Sequence, residues 1–280
     1  MKFTKMQGCG NDYVYINGFE EHVPQEEKSD LAIKLSNRNF GIGSDGLIFI
    51  NPGKVAEFEM EMYNADGSRS EMCGNGMRCV GKYIFDYGLS DKTQISVESA
   101  GAIKYLTLYP GADGKIEKVR VNMGSPILVA KDVPVVSDNE EVIDEDIIVN
   151  GKEYKMTCVS MGNPHAVVFM NGVRELDIEA VGPYFENHER FPRRTNTEFV
   201  EIIDRNHVFM RVWERGTGET LACGTGCCAT AVACILNGHT ENSIDVEVLG
   251  GHIQIEWNRE ENVVYMTGPA KVSFDGKIED

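Results

Sequence analysis

Two cysteines stand immediately before a Gly-x-Gly: Cys73 in MCGNGMRC and Cys223 in ACGTGCCA. The residues that follow, 76–87 and 226–237, place Cys79, Val80, Tyr83 and Ile84, or Ala229, Val232, Ala233 and Leu236, at helical spacing. Each run closes on a glycine, Gly88 or Gly238, as a helix ending in C′ style does. A cysteine at such a helix start sits among N–H groups that carry partial positive charge, which stabilises its thiolate. The neighbouring glycines let backbone amides approach a carboxylate closely. Two thiols of this kind, one ionised and one protonated, can take a proton from one face of a carbon and return one to the other face. They exchange roles when the reaction runs backwards. The carboxylate beside the reacting carbon becomes enolate-like, and helix-terminal amides aimed there stabilise the developing charge.

The elements that must hold these thiols repeat. Residues 60–76, MEMYNADGSRSEMCGNG, align without a gap on residues 210–226, MRVWERGTGETLACGTG. Cys73 falls on Cys223, Asn75 on Thr225, Asn64 on Glu214 and Gly88 on Gly238. Farther upstream, Gly10-Asn11-Asp12 matches Gly162-Asn163-Pro164, each leading into an apolar run. The chain therefore reads as two copies of one domain. Each copy is a set of strands around a principal helix. In the first copy the strand-like runs are Val14 to Ile16, Phe58 to Tyr63, Ile95 to Val97 and Ile103 to Leu108. Their counterparts are Ala166 to Phe169, Val208 to Trp213, Ile244 to Val248 and Ile253 to Trp257. Weaker helices are predicted over about 25–37 and 176–188. The Pro- and Gly-bearing, acidic stretch 110–145 is the natural boundary.

Composition narrows the partners. Of 280 residues, 44 are acidic and 27 basic, a net charge of -17, which argues against nucleic acid because phosphate contacts need clustered Lys and Arg. The same field repels anions, so a site for an acid must be built from local dipoles. With 42% hydrophobic residues there is ample material for a core. The start, MKFTKMQGCGNDY, has no apolar signal core, and no apolar run reaches the length of a membrane span, so the expectation is a cytoplasmic chain with reduced thiols.

Eight cysteines then need a reading other than disulfides. Zinc fits poorly, because Cys73 and Cys79 are spaced too widely for the short hook, and Cys223/Cys228, with four residues between, has no His-x₃₋₅-His to accompany it. Cys79, Cys158 and Cys234 lie in apolar patterns and read as core; Cys227 and Cys228 read as packing within the second helix; Cys9 has no assignment. The Gly-rich loop GIGSDGL lacks the Lys-Ser/Thr ending of a P-loop. GCGNDY lacks the third glycine and following helix of a dinucleotide fingerprint.

The motifs KMQGCGNDY, YNADGS, MCGNGMRC, SMGNPHAV, RRTNTEF, WERGTGET and ACGTG, in this order, resemble the diaminopimelate epimerase family, a group of pyridoxal-independent amino-acid epimerases. The related proline racemases differ in having His after the first Cys-Gly, where this chain has Asn75. The resemblance implies an α+β fold of two pseudo-symmetric domains, each a β-barrel-like sheet around a central helix, with the active site in the interdomain cleft. The domains would be 1–122, joined by the tail 268–280, and 123–267. Cys73 and Cys223 would be the acid/base thiols, and Gly74-Asn75 and Gly224-Thr225 would hold the carboxylate at the reacting centre. Asn11, Asn64, Asn163, Asn196, Glu214 and Arg215 would meet the distal amino-acid end of a small-molecule substrate. No cofactor, metal, nucleic acid or membrane is implied, and a homodimer is. Each of these polar residues also has a plainer reading: the asparagines as turn, cap or loop residues, and Glu214-Arg215 as a solvated pair. His165 is set aside as a polar neighbour. The chain departs from the family at Gly46, where many relatives carry a Gln that reaches the substrate region; Ser44 or backbone could take over.

Three activities follow from these residues. One is epimerisation of LL- to meso-diaminopimelate in lysine and peptidoglycan-precursor synthesis. Another is the same chemistry on proline, histidine or glutamate; Glu214 and Arg215 favour a substrate with a second zwitterionic end. The third is a non-catalytic binder or thiol redox sensor. A variant of the first has Cys73 and Cys223 close enough to form an inactivating disulfide.

Overall fold

The computed structural model describes residues 1–70 and 73–279. The chain divides into two compact units, one of Met1–Asn122 with Thr267–Asp280 and one of Met123–Met266.

In the first unit the strand Lys2–Gly8 pairs antiparallel with both Asn11–Asn17 and Lys271–Lys277. Asn11–Asn17 runs parallel to Gly46–Pro52, which pairs antiparallel with Phe58–Asn64. Phe58–Asn64 runs parallel to Gln94–Ser99, and Ala102–Pro110 and Ile116–Gly124 follow antiparallel. Parallel pairs need a crossover. Helix α1, Lys28–Ser36, supplies the first and helix α2, Gly74–Asp86, the second. α1 lays Ala32 and Leu35 on Val14, Ile16, Leu47 and Phe49. It is pinned by the buried ion pair Lys28–Glu61, 2.6 Å long. Burial alone would raise the Glu61 carboxyl, but hydrogen bonds from Lys28, Gln25 and Tyr63 outweigh it and hold the group at about 2.

The second unit repeats this plan. Lys152–Ser160 pairs with Pro164–Phe169, which runs parallel to Asn196–Ile202. Asn196–Ile202 pairs antiparallel with His207–Glu214, which runs parallel to Ser243–Val248. The crossovers are helices α3, Ile178–Glu186, and α4, Gly224–Leu236. α2 and α4 fall at identical places in the repeat, as do the strand registers that frame them: Leu47 opposes Tyr63, and Thr197 opposes Trp213.

Eleven of the thirteen residues of each principal helix are buried. A helix apolar on every face must be surrounded, and α4 carries Cys227, Cys228, Ala229, Ala231, Val232 and Ala233 at 0% exposure. Small residues let strands close in from several sides, and burying Val232 and Ile235 alone contributes roughly 1.5–3 kcal/mol each. α2 also buries Arg78 and Lys82. The Lys82 ammonium donates to Asp86 and to the Ile116 carbonyl, each at 2.6 Å, and the Arg78 Nε donates to the Pro269 carbonyl at 3.1 Å.

Both principal helices begin two residues before the predicted ranges 76–87 and 226–237 and end one residue short of them. The predicted helix 25–37 resolves into a 3-10 turn followed by α1, and the predicted helix 176–188 is the shorter α3, with a separate 3-10 turn, Val173–Glu175, just before the predicted range. Within the stretch 110–145, read as a boundary, Ile116–Gly124 is a strand with alternating burial. Among the described residues no helix is long and apolar enough to cross a membrane.

Candidate active site

Cys73 is the N-cap of α2, with the extended φ of -134° and ψ of 112° that such a position takes. Its Sγ accepts from the Gly76 N–H at 3.3 Å, where Ser or Thr more commonly does the capping. The thiol donates to Asn11 Oδ1 at 3.1 Å, and Asn75 Nδ2 donates to the same oxygen at 3.4 Å. Asn11 Nδ2 donates in turn to Asp45 Oδ2, 2.7 Å. Arg38 bridges Asp45 and Asp12 at 2.9 Å each. The Asn11 amide is therefore held with its oxygen toward the thiol.

Asn11 reaches this place because Cys9 and Gly10 form a two-residue hairpin with φ of 54° and 83°, so that Gly8 pairs with Asn11. Positive φ at both central residues matches the twist of the flanking strands. Cys9, unassigned in the sequence, is buried there with its Sγ 3.8 Å from Arg78.

Tyr13, two residues on, is a neighbour that sequence reasoning missed. It is buried, and burial, followed by the approach of Cys73, pushes its phenol far above the ordinary range. It also accounts for Gly46. Tyr13, Gly46 and Asn64 lie side by side on three adjacent strands. A Cβ at Gly46 would come within 2.9 Å of the Tyr13 ring and 2.1 Å of the Tyr63 carbonyl. The place a glutamine would need is filled. Ser44 does not substitute for it: its buried hydroxyl donates to the Gly46 carbonyl at 2.8 Å. Asn64 closes the row and donates to Ser68 Oγ at 3.0 Å, within its turn.

The second unit builds its counterpart. Cys223 caps α4, its Sγ 3.4 Å from the Gly226 N–H and 3.5 Å from the Thr225 hydroxyl. It is 7% exposed, and burial, followed by the carboxylates Glu214 and Glu198, pushes its thiol well above the ordinary 9.0. Glu198 is fully buried; its Oε1 lies 2.7 Å from His165 Nδ1, and His165 Nε2 lies 3.0 Å from Asn163 Oδ1. Asn196 donates to the Pro164 carbonyl at 2.8 Å and accepts from the Arg215 N–H at 2.9 Å. Arg215 Nη1 donates to the Arg193 carbonyl at 2.9 Å, and the Thr220 hydroxyl donates to Glu214.

The unit thus gathers Asn163, Asn196, Glu214, Arg215, Cys223 and Thr225 with His165, which the sequence reading sets aside as a polar neighbour, and Glu198, which it does not single out. His165 was legible: it stands in the repeat where Tyr13 stands, opposite Asn196 as Tyr13 is opposite Gly46. At both helix mouths the first-turn residues, Gly74-Asn75 and Gly224-Thr225, have N–H groups pointing out of the helix start, where an anion is favoured.

A family model described as diaminopimelate epimerase matches residues 3–129 and 157–273. A diaminopimelate epimerase of Agathobacter rectalis is 57% identical over 100% of this chain and 99% of its own length. One from Acetivibrio thermocellus is 54% identical, again over 100% of this chain and 99% of its own. Among solved structures, a hydroxyproline epimerase from Agrobacterium vitis superposes with a TM-score of 0.68 over 99% of this chain and 90% of its own, at 14% identity. That likeness is one of fold, the mixed α+β architecture of repeated halves.

Proposed function

The chain belongs to the diaminopimelate epimerase family, and from that premise we propose that it interconverts LL- and meso-2,6-diaminopimelate without a cofactor, using Cys73 and Cys223 as the two acid/base groups. The observation that carries this reading is the repeated device itself: a cysteine serving as N-cap of a buried helix, once in each unit, with polar residues in matching rows beside it.

Cys223 is the resting acid, because burial, Glu214 and Glu198 keep its proton in place. Cys73 acts as the base once the proton it donates to Asn11 Oδ1 has left; its Sγ also faces the Gly76 N–H at a helix start, which favours the thiolate. The Cys73 thiolate takes the α-proton, and the C–H electron pair moves onto the carbon and into its carboxylate. First-turn amides at Gly74-Asn75 and Gly224-Thr225 stabilise that charge. Cys223 then delivers its proton to the opposite face, leaving a Cys73 thiol and a Cys223 thiolate. The reverse reaction starts from that state. Arg215 suits the distal carboxylate as a planar fork, Glu214 accepts from the distal ammonium, and the amides of Asn11, Asn64, Asn163 and Asn196 offer both donors and acceptors. In a chain of net charge -17, these local groups must do the anion binding. The reading also has the chain working in the cytoplasm as a homodimer, as the family resemblance implies; sedimentation checks the second point.

Cys73→Ser and Cys223→Ser should each lower epimerisation at least ~10²-fold, the scale of losing one acid or base. The wild type should exchange the substrate α-proton for deuterium in D₂O without pyridoxal phosphate. Near-full activity in either single variant would overturn the two-thiol mechanism. A panel of amino acids tests the substrate: turnover of proline, histidine or glutamate in preference to diaminopimelate would reassign it.

A further inference from the structure

Away from both helix mouths, three adjacent strands of the second unit bring two imidazoles and two carboxylates together. His207 opposes Asp245 in the parallel pair, and Glu247 opposes His252 in the antiparallel pair. Side chains two residues apart on a strand share a face, so Asp245 and Glu247 project to the same side. His252 Nδ1 lies 2.6 Å from Asp245 Oδ2, and His207 Nε2 lies 4.0 Å from that same oxygen. One donor atom from each of His207, Asp245 and His252 lies within 4.8 Å of the others.

The arrangement is poorly explained as an ion-pair network. Glu247 is already engaged by the Arg174 guanidinium, with both carboxylate oxygens at 2.8 Å, and Arg174 is fixed over the Phe209 ring at 3.9 Å. His207 Nε2 points into the cluster, is screened from solvent and makes no hydrogen bond, although Glu247 Oε2 is 3.3 Å away. A buried nitrogen left without a hydrogen bond, beside a carboxylate already taken by Arg174, calls for a better partner. A cation at the centre of the three donors would supply it. Donor atoms about 2.0–2.2 Å from a tetrahedral metal stand about 3.3 Å apart, within the span these residues already occupy.

We propose that His207, His252 and Asp245 bind a divalent transition cation of the zinc class, with water completing the coordination and Glu247 as an adjacent carboxylate. Two imidazoles and one carboxylate favour zinc, cobalt or nickel over calcium or magnesium. The three ligands come from three strands, so the bound ion cross-links the sheet of the second unit. The ligands lie 38 and 7 residues apart in the chain, which is why no short motif announces them.

Cobalt(II) is the probe, because its spectrum separates this site from the thiols. The wild-type protein should bind one equivalent with weak ligand-field bands and no thiolate charge-transfer band, and amide resonances around residues 207, 245–247 and 252 should broaden. Zinc should raise the melting temperature. His207→Ala and His252→Ala should each weaken cobalt binding at least tenfold, with epimerase activity and metal-free melting retained. If a variant folds poorly, Asp245→Asn serves in its place. Only thiolate-type cobalt bands, unchanged binding in the double histidine variant, or no binding at millimolar metal would overturn the site.

Discussion

Glu198 shares a buried space with Cys223 and makes a thiolate there costly. The carboxylate lines the start of α4 so closely that a Cβ on Gly226 would stand 2.7 Å from its Oε1. Its field, with that of Glu214, adds to burial in raising the Cys223 thiol. Glu198→Gln removes that field, so the thiol should ionise at lower pH. Where Cys223 donates the proton, the alkaline limb of kcat/KM should move acidward. In the reverse direction, where its thiolate is the base, the acidic limb should move the same way. Profiles measured in both directions check this, and unmoved limbs would exclude Glu198 from the tuning. At Gly46 the expectation is steric: Gly46→Gln should cost about 1–3 kcal/mol by urea unfolding, without tightening substrate binding, because Tyr13 and the Tyr63 carbonyl fill the space. The two thiols were legible in sequence because Cys-Gly-x-Gly is local and occurs twice. Glu198 and Tyr13 were not, because their role comes from partners 25 and 60 residues away that only folding brings near.

Whole helices were easier to read than their ends. The apolar spacing gave the bodies of α2 and α4, but their first turns are Gly-x-Gly, without side chains to show a period. The start is set instead by the cysteine sulfur accepting the Gly76 or Gly226 N–H. Strands such as Gly46–Pro52, buried on both faces over Gly46–Ile50, show no alternation and went unread. α3 depends on a close approach of its own. Gly182 packs onto Trp213, whose ring would come within 2.3 Å of a Cβ there. Gly182→Ala should therefore lower the urea midpoint by the equivalent of about 1–3 kcal/mol, since helix and strand must separate to admit one methyl group. A wild-type midpoint in the variant would show that α3 can shift without cost.

For the molecule as a whole, the buried thiols set a limit on the alkaline side. Burial first of all raises Cys79 to about 11, and it raises Cys158, Cys223 and Cys234 above the ordinary 9.0 as well. Below 9.0 these groups are protonated in both folded and unfolded chains, and their contribution to stability is fully present. Above it the unfolded chain ionises first, so each thiol should cost about 1.4 kcal/mol per pH unit until its folded value is passed. Urea unfolding on either side of 9.0 measures the slope, and Cys234→Ala should flatten it.

The first unit is closed by strands from opposite ends of the chain: Lys2 pairs with Lys277, and the Met1 amino group donates to the Ile278 carbonyl at 3.0 Å. The second unit is one uninterrupted stretch, 123–266. During synthesis, domains generally fold in the order in which they emerge from the ribosome. Here the order must invert. The half that is translated first keeps one edge of Lys2–Gly8 unpaired until Lys271–Lys277 has been made, while the half translated second already has everything it needs. The nascent N-terminal half, with its exposed edge strand, is the species most open to aggregation or to chaperone capture.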